Sequence, residues 1–95
     1  MAIKVAIIRK VPQQASQELR PLLLKLRGMA MVQPGYISGE TLVNMDDPEQ
    51  FLVLSSWDSV ETWDSWLKDN TRNELQKEID DLIGTPTMYQ VYLHG

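Results

Sequence analysis

The stretch YISGETLVNMDDPEQFLVLSSW, residues 36–57, reads as two strands joined by a turn. Residues 36–44 and 50–57 are rich in β-branched and aromatic residues, and Asp46-Asp47-Pro48 between them is turn chemistry. Gly39 marks a bulge or a point of close packing. On both sides of this hairpin the apolar period changes to that of a helix. Upstream, over residues 13–32, Leu19, Leu22, Leu23, Leu26 and Ala30 form one stripe. Pro21 interrupts it, because an interior proline deletes a hydrogen bond and clashes with the preceding turn. The regular helix either starts near Glu18 or kinks at Pro21. Downstream, Val60, Trp63 and Leu67 share one face, and Leu75, Ile79, Leu82 and Ile83 share another. Asp58 with Glu61, and Thr71 with Glu74, have capping-box spacing. They predict helices over 59–68 and 71–83 with a break at Asp69-Asn70, and Gly84 is a natural stop. Residues 2–11, ended by Pro12, and residues 86–93 read as the first and fourth strands. The order β-α-β-β-α-α-β is the ferredoxin-like split pattern. It predicts an α+β domain over residues 1–95, a four-stranded antiparallel sheet with its helices on one face.

A sheet covered on one side only should alternate apolar with polar. These strands do not. Phe51, Val53 and Trp57 oppose Leu52 and Leu54; Ile3, Val5 and Ile7 oppose Ala6 and Ile8; Tyr89, Val91 and Leu93 oppose Met88 and Tyr92. The expectation is a homodimer, sheet packed on sheet, since continuous exposed apolar faces are rare in monomers.

Composition narrows the function classes. The 95 residues carry 13 acids against 9 Lys plus Arg, a net charge of −4. That argues against nucleic acid as a partner, which calls for a basic face. Charge is uneven, with six bases and two acids over residues 1–40 and three bases and eleven acids over residues 41–95. The later acids read as solvated helix faces or an acidic patch. With no cysteine there is no disulfide, thiolate metal site or cysteine nucleophile. The apolar runs, such as Val5 to Ile8, fall far short of the roughly 20 residues that span a bilayer. Lys4 and Arg9-Lys10 bracket the first of them, unlike a signal peptide. A cytoplasmic protein without membrane association is expected.

Conventional catalytic constellations are thin. His94 is the one histidine and stands beside the terminus, which is poor ground for a triad. A metal site would have to draw on carboxylates, and the neighbours Asp46-Asp47 and Asp80-Asp81 do not face one another. No phosphate loop or dinucleotide fingerprint is present. What remains is an aromatic set, Tyr36, Trp57, Trp63, Trp66, Tyr89 and Tyr92, suited to a pocket for a flat, weakly polar molecule or to a core or interface. Helical periodicity sets Trp66 at the edge of the buried stripe, facing a cavity instead of the main core. Arg72, just past the break, is placed to meet an anionic oxygen of a ligand or to make a surface salt bridge with Asp69.

The run Gln33-Pro34-Gly35-Tyr36-Ile37-Ser38-Gly39-Glu40-Thr41-Leu42, followed by Phe51–Trp57 and then Trp63-Asp64-Ser65-Trp66-Leu67, resembles the antibiotic biosynthesis monooxygenase (ABM) domain family. The resemblance covers nearly the whole chain and implies a ferredoxin-like protomer paired into a dimeric α+β barrel. It also implies a cofactor-independent monooxygenase of phenol- or quinol-like aromatics, with Trp66, Arg72, Tyr36 and Trp63 as candidate pocket-lining residues and no cofactor or metal. The alternative is a non-enzymatic dimeric module that binds a small ligand or serves in stress. The haem-degrading branch of the family is similar at Trp66-Leu67-Lys68. Where its members carry a histidine ligand and a strand asparagine, this chain has Gln76 and Ile7, and neither replaces an axial imidazole.

Overall fold

The computed structural model describes residues 1–94. Strand β1 (Ile3–Lys10) leads through a 3-10 turn at Gln13–Ala15 into helix α1 (Ser16–Met31). Strands β2 (Tyr36–Val43) and β3 (Gln50–Trp57) follow, then helices α2 (Val60–Leu67) and α3 (Asn70–Ile83), then strand β4 (Met88–Leu93). The strands make one antiparallel sheet in the order β2-β3-β1-β4. This is the α+β ferredoxin-like arrangement that the element order predicts. Ile3 and Val5 of β1 and Trp57 of β3 join Leu19 and Leu26 of α1, Trp63 of α2, and Ile79 of α3 in one buried cluster. Burying each such side chain is worth about 1.5–3 kcal/mol, which fixes the helices on this face. Among the described residues no helix is long and apolar enough to cross a membrane.

Several local details differ from the sequence expectation. Helix α1 begins at Ser16 and runs through Pro21. The proline nitrogen makes no bond to the Gln17 carbonyl, and the packing of Leu19 and Leu26 on either side holds the helix through the gap. The caps also shift. Ser59, with extended backbone, caps α2 by accepting from the Thr62 N–H at 3.3 Å. Asp58 accepts instead from the Thr62 hydroxyl at 2.8 Å. Asp69, also extended, caps α3 by accepting from the Arg72 N–H at 2.8 Å, in place of Thr71. An N-cap must be the last extended residue before the turn, and Asp58 and Thr71 are each out of that position.

Gly84 ends α3 in the left-handed region at φ 82°. The irregularity in β2 lies between Tyr36 and Ser38, upstream of Gly39. Gly39 is the close-packing point, since a Cβ there would lie 2.6 Å from the Tyr36 hydroxyl.

The register sorts the face away from the helices into rows. Leu42, Leu52, Ile8 and Met88 make one apolar row across all four strands. The next holds Glu40, Leu54, Ala6 and Gln90, and the third Ser38, Ser56, Lys4 and Tyr92. The apolar surface is therefore a band at one end of this face, with polar residues beyond it.

Candidate functional site

Where α1 passes over β2 and β3, the sheet offers it small side chains: Gly39, Thr41 and Ser55. The Tyr36 hydroxyl reaches over Gly39, and the Trp57 indole N–H donates to Ser55 Oγ at 3.2 Å, so part of this space is taken by aromatic rings. A cavity of about 800 Å³ remains, walled by the sheet, α1, α2 and the start of α3. Its sheet wall includes Ile7, Phe51 and Val53, and its helix wall Leu23, Leu26 and Ala30.

The structure brings Trp66, Arg72, Tyr36 and Trp63 to the wall of this one cavity. Edge-on contacts link Tyr36 to Trp57 (ring centroids 5.5 Å apart) and Trp57 to Trp63 (5.6 Å), and Trp63 meets Tyr89 at 5.8 Å. Such pairs prefer offset and edge geometries because ring faces and edges carry opposite partial charge. Trp66 is only 4% exposed and belongs to the buried cluster. The contrast between cavity and core drawn from helical periodicity does not hold for it, because the cavity runs alongside the core and the indole borders both.

Arg72 is buried as well, so the surface salt bridge with Asp69 does not form; Asp69 takes the backbone N–H instead. With only Lys68 and Asp69 between α2 and α3, the Arg72 guanidinium stacks 5.9 Å from the Trp66 ring and 5.4 Å from that of Tyr89. It donates to the Tyr89 hydroxyl and, at 2.8 Å, to Asn73 Oδ1.

Two further polar residues, Arg9 and Gln76, take roles here that the sequence does not assign them. Arg9 of β1 is buried, lines the cavity, and donates from Nη2 to Gln76 Oε1 at 3.1 Å. Gln76 is also buried, and its Nε2 donates to Asp80 Oδ1 and Thr87 Oγ1, each at 2.9 Å. The Thr87 hydroxyl donates to Asp80 at 2.8 Å. Burial pushes the Arg9 guanidinium below its ordinary value; Tyr89 acts in the opposite sense, and the nearby charge of Arg72 adds to the lowering.

Of the two positions that separate the chain from haem degraders, Ile7 stands in the cavity wall and Gln76 is engaged as just described. His94 is exposed. An amide held by three partners offers iron no strong axial donor. Haem titrated into the protein is therefore expected to give no sharp, saturable Soret band. Binding of one haem per protomer followed by turnover with a reductant would contradict this.

Solved structures share the fold, three of them as follows. A conserved protein of Methanosarcina mazei Go1 superposes with a TM-score of 0.90 at 19% identity, covering 100% of this chain and 94% of that one. Rv0793 of Mycobacterium tuberculosis gives 0.86 at 15% identity, covering 100% and 96%. SnoaB of Streptomyces nogalater, a cofactor-independent oxygenase, gives 0.85 at 12% identity, covering 99% and 93%. At such identities the likeness is one of fold. No curated protein matches the chain in sequence. The family model for antibiotic biosynthesis monooxygenase matches residues 1–78, and on that match the chain belongs to the antibiotic biosynthesis monooxygenase family.

Proposed function

We propose that the protein is a cofactor-independent monooxygenase that oxidises a small phenol- or quinol-like aromatic inside this cavity. The observation that carries the reading is a buried guanidinium, Arg72, stacked on Trp66 at the wall of an otherwise largely apolar space of about 800 Å³. A phenol bound there meets a positive charge in a medium of low dielectric, which lowers its pKa and favours the phenolate. The phenolate supplies electrons to dioxygen. One oxygen atom enters the ring carbon that loses its hydrogen, giving a quinone, and the other leaves as water. The largely apolar wall lowers the local dielectric around the reacting pair, and the cation stabilises the oxyanion throughout. The description of SnoaB as a cofactor-independent oxygenase supports this reading. Dioxygen uptake with a panel of quinols tests it. Uptake that saturates with substrate and falls at least tenfold in Arg72→Met is expected; tight binding of the panel without uptake would make the protein a binding module.

The same reading includes a homodimer through the sheet. The band Leu42, Leu52, Ile8 and Met88, with Leu54 and Ala6 beside it, is what a second copy would cover. Specific interfaces bury about 1,200–2,000 Å² in total. Sedimentation at micromolar concentration is expected to show a species of twice the 10.9 kDa chain mass. A stable monomer would remove the dimer from the proposal.

A further inference from the structure

Arg9 and Arg72 are 6% and 5% exposed, and both stand in the wall of the cavity. Buried charges are almost always paired with an opposite charge, because stripping an ion of water costs several kcal/mol. These two are not paired. Among the described residues the ion pairs within 4.0 Å are those of Lys10 with Asp47 and Glu49. Every side chain that accepts from the two guanidiniums is neutral: Gln76 for Arg9, Tyr89 and Asn73 for Arg72. The Nε–H of each arginine is buried with no partner at all.

The nearest carboxylate in this network, Asp80, is kept one step away. Asp80 accepts from Gln76 and Thr87, and Gln76 in turn accepts from Arg9. An amide interposed in this way orients a guanidinium without neutralising it. Glu40 also borders the cavity, but it pairs with Leu54 on β3, and the pleat turns its side chain to the other face of the sheet. Arg20 and Arg27, both exposed on α1, are the remaining charged residues of the wall. Every charged side chain directed to the cavity is thus cationic, in a protein whose net charge is −4. A low-dielectric cleft lined by one sign of charge focuses its field on an incoming counter-ion.

We propose that Arg9 and Arg72 form an anion subsite that takes the carboxylate of an aromatic acid, so that the ligand of this cavity carries a permanent negative charge besides its flat ring. The proposal rests on the reading of the cavity as the ligand site and goes beyond the transient phenolate of the reaction. Planar guanidiniums match a carboxylate edge-on, and the two arginines, one from β1 and one from α3, offer donors from two directions. Tyr36, Trp63 and Trp66 border the space left for the ring. Burial first, and to a lesser degree the charge of Arg72, act to lower the proton affinity of Arg9, while Tyr89 and Asp80 act against them; an anion beside the buried guanidinium would offset its desolvation.

The experiment compares 2-naphthoate with its neutral isostere 2-naphthamide, titrated into the whole protein and followed by tryptophan fluorescence and by calorimetry. Wild-type protein is expected to prefer the carboxylate by roughly 10–100-fold, the scale of one or two hydrogen bonds to a charged group. Arg9→Met and Arg72→Met are each expected to remove most of that preference while still binding the amide. Arg9→Lys, which keeps the charge, is expected to retain part of it. Equal binding of both probes by wild type would overturn the anion subsite and leave the aromatic cavity standing. Binding of neither would overturn both. A preference that survives in both methionine variants, shown to be folded by circular dichroism, would place the anion elsewhere and also overturn the assignment.

Discussion

Trp63→Ala is expected to destabilise the protein by about 3–5 kcal/mol, the usual cost of truncating a tryptophan in a packed core. Trp63 is 2% exposed and sits between two rings, Trp57 at 5.6 Å and Tyr89 at 5.8 Å. It ties α2 to β3 and β4 at once, so its loss leaves a hole that no single neighbour can close. In a domain of this size each kcal/mol moves the melting midpoint by about 4–8 °C, so the variant should melt at least about 12 °C lower. Trp66→Ala is expected to cost clearly less. Both indoles border the cavity, but the aromatic pairs of the core do not include the Trp66 ring, whose stacking partner is Arg72 at 5.9 Å. That variant should instead lose affinity for a flat aromatic ligand. Urea denaturation of both variants, with a quinol titrated into each, makes the comparison. Equal losses of stability with unchanged ligand affinity would make Trp66 an ordinary core residue.

The elements were legible because each carries its own period. The third strand, 50–57, has the bounds read from the sequence, and the helical stripes of Leu19 and Leu26 and of Leu75 and Ile79 are the buried ones. The short break after Leu67 also made the place of Arg72 at the start of α3 readable. Caps were less so, because a spacing template cannot tell which residue of Asp58-Ser59 is the last extended one; backbone geometry decides that. Arg9 carried a signal that charge counting hides. It shares the odd-numbered face of β1 with Ile3, Val5 and Ile7, so a cation there had to be buried among apolar neighbours or break the pattern. Gln76 stood out for the imidazole it lacks, whereas its role comes from an amide that reaches β1. The cavity itself had no sequence signature. Gly39, Thr41 and Ser55 mean little until the register sets them side by side beneath α1.

Gly35→Ala is expected to cost about 2–5 kcal/mol, and a second glycine isolates the reason. Gly35 and Gly84 have nearly the same backbone, φ 88° and φ 82°. Forcing a side chain into that left-handed region costs roughly 1–2 kcal/mol at either site. The surroundings differ. A Cβ at Gly84 meets nothing within 4 Å, whereas one at Gly35 would lie 2.5 Å from Thr62 Cβ and 2.6 Å from Asp58 Oδ1. The Thr62 Cβ belongs to the first turn of α2, and any residue but glycine would place an atom there. The Gly35 carbonyl also accepts from the Asp58 N–H at 2.8 Å, so the start of β2 and the entry to α2 are pinned together. Relief must therefore come from moving backbone, and overpacking of this kind adds typically about 1–3 kcal/mol. The helix it would displace is the one that presents Trp63 and Trp66 to the cavity. Gly84→Ala should show the conformational cost alone and leave ligand binding unchanged, while Gly35→Ala should show both costs and weaken binding. Equal destabilisation of the two variants in urea would mean that the contact with Thr62 relaxes freely and that this corner of the fold does not position the cavity wall.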